Sequence, residues 1–239
     1  MYYNPMISVI LPVLNEGENL KILIPKIDKE IKKKYEIIIV DDDSKDDTEN
    51  IVKRLKKKYP IKYILRKDKK GLSSAVIDGI AESKGDTLLV MDSDLSHPPE
   101  IIHKLIKEIK NNDIVVASRY TEGGGADRWI LPRKMISVYA TLLARPLVKV
   151  KDPMAGFFIF KKSIIRNSEL KPLGFKILLE ILVKGRYSKY SEVPYIFQKR
   201  HAGKSKANLK VYVQYHIHLF KLYYYKFMEG IKKIFGGSR

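Results

Sequence analysis

The stretch Thr87-Leu88-Leu89-Val90-Met91-Asp92-Ser93-Asp94-Leu95-Ser96-His97-Pro98-Pro99 decides how this chain is read. A short run, apolar from Leu88 to Met91, collapses into two carboxylates spaced i, i+2. The run is continuous and is flanked by Gly85 and a double proline, so it reads as a buried strand. Burying an unpaired carboxylate is costly, so Asp92 and Asp94 are expected where the strand leaves the core. Two carboxylates at the carboxyl end of a strand are an oxygen site for a hard cation such as Mg²⁺ or Mn²⁺, an ion that commonly bridges to phosphate oxygens. Turns are also rich in Asp, so the motif alone carries little, and its context decides.

The first half of the chain alternates. Apolar runs at Ile7–Val13, Glu36–Val40, Ile61–Leu65, Thr87–Met91 and Ile114–Ala117 read as strands. Helical spacing fills Asn19–Lys34, Asp46–Tyr59, Leu72–Ser83 and Glu100–Lys110 between them. Strands alternating with helices predict an α/β fold, a parallel sheet covered on both faces. Ligands of such sheets sit beyond the carboxyl ends of the strands. Four runs end in polar clusters at that edge: Asn15-Glu16, Asp41-Asp42-Asp43-Ser44, Asp92-Ser93-Asp94 and Ser118-Arg119-Tyr120. No Gly-X-Gly-X-X-Gly follows the first strand and no Gly-Lys-Ser/Thr loop occurs, which argues against the dinucleotide and P-loop classes.

The second half changes character. Acids are absent from Leu131 to Lys151, and Pro132–Val150 is apolar and basic. Asp152–Lys161 reads as a loop into a strand, Phe175–Lys184 as a helix and Ser191–Gln198 as a strand. A basic loop follows at Lys199–Lys206, then a long aromatic and basic segment at Ala207–Met228. One domain is expected over 1–239, with a nucleotide-binding half at 1–120, an acceptor half at 121–206 and an amphipathic segment at 207–239.

The net charge of +19 calls for an anionic partner. From Tyr195 onward ten Lys/Arg stand against one acid, Glu229. No helix-turn-helix, zinc-finger or RNP-like signature accompanies the charge, and the acidic strand ends would repel a phosphate backbone. Nucleic acid is therefore not the expected partner; a nucleic-acid-binding protein is the different-class alternative. There is no Cys, which excludes disulfide scaffolds, thiolate metal sites and Cys nucleophiles. No run reaches the ~18–20 uninterrupted apolar residues of a membrane-spanning helix.

The ordered motifs Pro12-Val13-Leu14-Asn15-Glu16, Val40-Asp41-Asp42-Asp43-Ser44, Lys70-Gly71-Leu72-Ser73-Ser74-Ala75, Met91–Pro99 and Ser118-Arg119-Tyr120 resemble the family 2 glycosyltransferases of GT-A fold. Arg133-Lys134-Met135-Ile136-Ser137, Asp152-Pro153-Met154-Ala155-Gly156-Phe157 and Arg200-His201-Ala202-Gly203-Lys204-Ser205-Lys206 narrow the resemblance to the dolichyl-phosphate (polyprenyl-phosphate) mannosyltransferases. The resemblance covers about Ile7 to Lys206. It implies a GT-A nucleotide-diphospho-sugar transferase fold with a mostly parallel central sheet and basic amphipathic interfacial helices. The implied reaction moves mannose from GDP-mannose to a dolichyl or polyprenyl monophosphate, with inversion. The same resemblance puts Pro12, Leu14, Glu16, Val40 and Asp42 around the guanosine, with Ser93 at the nucleotide-sugar. Asp92 and Asp94, with Ser96 or water, would hold Mg²⁺ or Mn²⁺ on the diphosphate. Arg119, Arg133, Ser137, Arg200 and Lys206 would take the donor and acceptor phosphates. Leu14 stands where Tyr is common, and Ala155 where Ser is common.

The chemistry is consistent with those residue types. An acceptor phosphate is largely ionised near neutral pH and needs no strong base, so the problem is to bring two anions together. A divalent ion stabilises the leaving nucleotide, and Arg and Lys hold both phosphates. Transfer of glucose to the same lipid is one alternative. Transfer to a hydroxyl, with Glu180 as general base, is another. His97 is read as a helix-entry residue rather than a catalytic base. Glu16 and Asp42 could instead be acids favouring helix N-termini. The segments Ala207–Met228 and Pro132–Val150 would lie together at a membrane surface, lysines toward anionic headgroups. The expected location is peripheral, at the cytoplasmic face of a membrane, with a membrane-anchoring protein as a further partner.

Overall fold

The computed structural model describes residues 6–68, 71–127, 131–171, 174, 176–199 and 209–235. Strands β1 (Ile7–Val13), β2 (Tyr35–Asp41), β3 (Ile61–Leu65), β4 (Thr87–Val90) and β5 (Ile114–Ser118) alternate with helices α1 (Gly17–Glu30), α2 (Thr48–Leu55), α3 (Leu72–Ala81) and α4 (Ile102–Glu108). Then come β6 (Gly125–Ala126), α5 (Leu131–Ala144), β7 (Phe158–Lys161), α6 (Ile177–Lys184), β8 (Tyr190–Pro194), β9 (Ile196–Phe197) and α7 (Leu209–Phe235). Seven strands form one sheet in the order β3-β2-β1-β4-β7-β5-β8, and β6 pairs with β9 in a separate two-stranded ribbon. Residues of 1–120 and of 121–206 thus share a single sheet.

Alternation with period two sends side chains to opposite faces. Val9, Leu11, Leu89, Val115 and Ile159 pack on one face with Leu20, Ile24 and Ile27 of α1 and Leu105 of α4. Ile10, Val90, Val116, Phe158 and Phe160 pack on the other with Val76 of α3, Leu178 and Ile181 of α6 and Leu219 of α7. Strands buried on both faces carry apolar residues without interruption, which is why the runs were legible as strands.

The sheet is mostly parallel but not wholly. β7 runs antiparallel to both β4 and β5 and separates them. The expected strand over Ser191–Gln198 is two strands. Pro194, opposite Ser118, is the last residue paired with β5, and the Tyr195 amide donates to the Ser118 carbonyl (3.1 Å) before the chain leaves this sheet. Tyr195 then turns inward, and Ile196–Phe197 pair with β6. α2 is shorter than its sequence pattern, ending at Leu55 rather than Tyr59.

α5 and α7 lie together. Tyr215 and Tyr223 donate hydrogen bonds to the carbonyls of Ala140 (2.6 Å) and Leu143 (2.8 Å), and Lys226 Nζ donates to Leu147 O (2.6 Å). No helix among the described residues is long and apolar enough to cross a membrane.

Phe158 fills the centre of the second core and is fully buried. Phe158→Ala is expected to lower stability by about 3–5 kcal/mol, from lost burial plus an unfilled cavity. A shift of the urea midpoint at unchanged slope checks this.

Candidate active site

β1, β2 and β4 leave the sheet at one edge. At each exit the backbone is forced into the left-handed region by a residue other than glycine: Asn15 (φ 59), Asp43 (φ 63) and Leu95 (φ 63). Such conformations cost free energy and persist where surrounding contacts fix them. The Asn15 amide N–H donates to Ser44 Oγ (2.7 Å), and Asn15 Oδ1 accepts from the Lys45 amide (2.7 Å). The first two strand ends are therefore laced together.

Asp92 and Asp94 stand at the end of β4. The Asp94 carboxylate is buried and accepts from the Ser96 amide (3.0 Å) and hydroxyl (2.5 Å). Ser96 is fully buried behind Asp94 and aims it. The Asp92 side chain is 30% exposed and faces the cleft. Its amide donates to His97 Nδ1 (3.0 Å), so a neutral His97 carries its proton on Nε2. Burial depresses the His97 pKa below its usual value, against the pull of Asp92 and Asp94, and keeps the ring neutral. Phe157, Tyr195 and Phe197 enclose the ring. His97 is thus a support for the β4 exit, as the helix-entry reading implied.

Gly156 supplies the space in front of these groups. A Cβ there would lie 3.0 Å from His97 Cε1 and 3.2 Å from Asp92 Oδ2. Two carboxylates beside a cradle that a methyl group would fill fit a divalent ion, with phosphate and water completing its shell. Among the described residues no cluster of three or more His, Cys, Asp or Glu offers a larger ligand set.

Of the residues expected at the nucleoside, Asp42 is buried and held by Arg66. Arg66 Nε donates to Asp42 Oδ1 (2.7 Å), Nη2 donates to the same oxygen, and the Gly71 amide donates to Oδ2 (2.7 Å). Gly71 adopts φ 130, a conformation that favours glycine, and Arg66 Nη1 reaches Ser74 Oγ (2.9 Å) and Asp78 Oδ2 (3.2 Å). Asp42 therefore anchors the loop that enters α3. Glu16 is buried and accepts from Asn19 Nδ2. Ser93 Oγ donates to the Pro12 carbonyl (3.0 Å), and the Val40 side chain lies in the core against Ala75, beneath the cleft rather than facing it. Leu14 is partly exposed between these walls.

On the other side of the carboxylate pair, the Arg119 guanidinium is clamped by Asp152, with Nε to Oδ2 and Nη2 to Oδ1 both at 2.7 Å. The Arg119 amide also donates to Asp152 Oδ2 (3.0 Å). Burial opposes the Arg119 charge, but the fully buried Asp152 carboxylate outweighs it and holds the pKa above the usual arginine value. The guanidinium lies 5.4 Å from the Tyr120 ring centre, and the Tyr120 and Ser137 hydroxyls are 2.8 Å apart. Arg133, at the start of α5, stacks over Phe197 at 5.8 Å. Arg119, Arg133 and Ser137 are thus gathered on one wall. Arg200, Ser205 and Lys206 lie outside the described residues.

Glu180 is buried on α6. Its Oε1 accepts from the Lys171 amide (2.7 Å) and from Lys184 Nζ (2.6 Å), which gives it a structural role. Sequence reasoning gave no role to Arg66 or Asp152. Asp152 carried a signal, as the first acid after the acid-free span Leu131–Lys151.

Residues 8–168 match the model of "Glycosyl transferase family 2". The chain belongs to glycosyl transferase family 2. A dolichol-phosphate mannosyltransferase of Pyrococcus furiosus is 48% identical over 222 residues, covering 90% of this chain and 63% of the relative. The chain therefore spans less than two thirds of that relative's length. A dolichol-phosphate mannosyltransferase of Saccharomyces cerevisiae is 39% identical over 92% of this chain and 88% of its own. Among solved structures, glucosyl-3-phosphoglycerate synthase from Mycobacterium tuberculosis, in complex with Mn²⁺, UDP-glucose and glycerol 3-phosphate, shares the fold. Its TM-score is 0.66 at 18% identity, covering 90% of this chain and 79% of that one.

Gly156→Ala is expected to push Asp92 and His97 apart and to weaken divalent-ion binding about tenfold, the scale of a disturbed outer shell. A Mn²⁺ titration followed by thermal unfolding measures it; an unchanged midpoint would contradict the cradle role.

Proposed function

We propose that this family member transfers mannose from GDP-mannose to a dolichyl or polyprenyl monophosphate, with inversion at the anomeric carbon. One observation carries the reading: a carboxylate pair, Asp92/Asp94, stands beside an arginine wall fixed by a buried counter-ion, Arg119 on Asp152. The relatives at 39–48% identity, dolichol-phosphate mannosyltransferases, support the same lipid phosphate as acceptor. The Mn²⁺ and nucleotide sugar of the fold neighbour support a divalent ion on the diphosphate.

Each element of the reaction has a residue suited to it. Asp92 and Asp94 would hold Mg²⁺ or Mn²⁺, which when bound supplies Lewis-acid stabilisation of the charge on the departing nucleotide. Arg119, its edge oriented by Asp152, would bring a fixed guanidinium to a phosphate. Arg133 and Ser137, one turn apart on α5, add a charge and a hydroxyl. A phosphate monoester loses its second proton near pH ~6, so the nucleophile arrives ionised and needs no base. The engagement of Glu180 by Lys184 agrees with that and weighs against the hydroxyl-acceptor alternative.

A lipid acceptor requires a membrane surface within reach. α5 exposes Leu131, Met135, Tyr139 and Leu142, and α7 exposes Val213, Ile217, Phe220, Tyr224 and Phe227 along one stripe. Phe220 is 74% exposed. Acids are absent from these helices apart from Glu229, so an apolar face rimmed with lysines suits an anionic interface.

Incubating the protein with GDP-mannose, Mn²⁺ and a polyprenyl phosphate is expected to yield a mannosyl phospholipid. Asp92→Asn/Asp94→Asn should cost roughly two to three orders of magnitude in rate, the equivalent of several kcal/mol of lost charge stabilisation. Absence of product with any nucleotide sugar, or undiminished activity in the double variant, overturns the reading; preference for UDP-glucose selects the glucosyl alternative.

Phe220→Glu/Phe227→Glu should weaken co-sedimentation with phosphatidylglycerol-containing vesicles by more than about tenfold, given ~1.5–3 kcal/mol per buried Phe. Undiminished sedimentation would place the membrane contact elsewhere.

A further inference from the structure

Arg66 directly follows β3, and only 4% of its side chain is exposed. All five N–H groups of its guanidinium are used inside the protein. Nε donates to Asp42 Oδ1 (2.7 Å), and Nη2 donates to the same oxygen and to the Gly71 carbonyl (3.1 Å). Nη1 donates to Ser74 Oγ (2.9 Å) and to Asp78 Oδ2 (3.2 Å). The Arg66 backbone amide adds a bond to the Asp41 carbonyl (2.8 Å). A guanidinium so occupied does not meet a ligand itself; what it does for a ligand it does through these partners.

The partners come from three elements. Asp42 follows β2, Arg66 follows β3, and Gly71, Ser74 and Asp78 belong to the entry and first two turns of α3. The Gly71 peptide is gripped at both ends. Its N–H donates to Asp42 Oδ2 (2.7 Å), and its carbonyl accepts from Arg66 Nη2 and from Ser74 Oγ (2.8 Å). Glycine has a wide choice of conformations, so these bonds select the φ of 130 seen here. The Asp42 carboxylate is fixed in the same way, since three N–H groups from inside the protein set its plane. It stands at the sheet edge that receives ligands in such folds. In the strand order β3-β2-β1-β4, Arg66 lies three strand spacings from the Asp92/Asp94 exit, about 14 Å at ~4.8 Å each. The hub therefore borders the nucleoside wall and not the cation site.

We infer that Arg66 is a positioning residue for the donor nucleotide: it fixes the Asp42 carboxylate and the Gly71 peptide, before the nucleotide arrives, in the arrangement that receives the nucleoside. This role rests on the proposed nucleotide-sugar reading and adds to it a residue that does not touch the substrate. Three chain segments are ordered during folding rather than at binding, and affinity gains by that difference. A buried ion pair adds little net stability over apolar residues of the same volume, so a demand for geometry accounts for the arginine better than a demand for stability. Lysine, a point charge with three donors, cannot span the same five contacts.

The test compares Arg66→Lys and Ser74→Ala with wild type, each as the full chain. Calorimetry measures GDP binding in the presence of Mn²⁺, and steady-state assays vary GDP-mannose and polyprenyl phosphate separately. Arg66→Lys is expected to weaken GDP binding and to raise the KM for GDP-mannose in parallel, by about ten- to hundredfold, the scale on which supporting partners act. The KM for polyprenyl phosphate, and kcat at saturating donor, should stay near wild type. Ser74→Ala removes one bond from Arg66 and one from the Gly71 carbonyl, and should act in the same direction by roughly two- to tenfold. A merely structural role would lower the melting temperature and the active fraction, and with it kcat, without moving the donor KM. Wild-type GDP affinity and donor KM in Arg66→Lys overturn the assignment, as does an equal rise in the acceptor KM or a loss confined to kcat. Should Arg66→Lys not fold, Ser74→Ala decides alone, and an unshifted GDP affinity there overturns it. Wild-type protein that binds no nucleoside diphosphate defeats the nucleotide reading itself; wild-type binding with unshifted variants defeats only the role of Arg66.

Discussion

Asp152 has no exposure to solvent, and a buried carboxylate must be paired. That requirement organises the second half of the molecule. The carboxylate takes two guanidinium N–H groups and the backbone amide of Arg119, which fixes how the chain leaves β5. The Asp152 and Lys151 amides in turn donate to Glu192 of β8 at 3.2 and 2.9 Å, so the turn is tied to the neighbouring strand. Once Asp152 is placed, Met154 and Gly156 follow, and with them the Lys176 ammonium and the room in front of Asp92. Removing one member of such a pair costs about 3–5 kcal/mol, because the other remains buried and charged. The pair is therefore better understood as a positioning device than as a source of net stability.

The first half repeats the device. Asp42 and Arg66 are both buried, and their pair ties the end of β2 to the chain leaving β3 and to the Gly71 loop. The Asp92/Asp94 site at the end of β4 thus lies between two guanidinium–carboxylate pairs, one at β2 and one at β5. Arg66 spends its donors on Asp42, Ser74, Asp78 and the Gly71 carbonyl, so that pair is a lock within the wall. Arg119 is gripped along one edge by Asp152 and lies against the Tyr120 ring, so that pair fixes the exit of β5.

The parts of the molecule legible in the sequence are those written in local patterns. β1 to β5 are apolar runs buried on both faces, and a run ending in acids announces both a strand and the edge where it stops. The carboxylate pair at Asp92 and Asp94 was legible for that reason. The antiparallel insertion of β7 was not, because a four-residue apolar run carries no direction. The break at Tyr195 was not legible either, because it depends on β6 lying beside Ile196–Phe197, a partner about 70 residues away. Asp152 and Arg66 matter through partners 33 and 24 residues away, a pairing that no local period encodes. Strand alternation turns the Val40 side chain into the core, so only its backbone is left to meet a ligand at the strand end.

α5 joins the chemistry to the surface. Arg133 and Ser137 stand one turn apart near its start, and Ser137 meets Tyr120 beside Arg119. On the same helix Leu131, Met135, Tyr139 and Leu142 are exposed, next to the apolar stripe of α7. A lipid phosphate presents the same division: a charged headgroup that needs cations and an apolar chain that needs cover from water. If the two requirements were met by separate elements, binding would have to order them against each other at an entropic cost. One rigid helix, pinned to α7 through Tyr215 and Tyr223, sets the distance between them in advance. On the proposed reading, the excess of lysine and arginine also divides by depth. The exposed lysines of the second half attract an anionic surface over a range limited by salt, while Arg119 and Arg133 act at contact, where screening is weak.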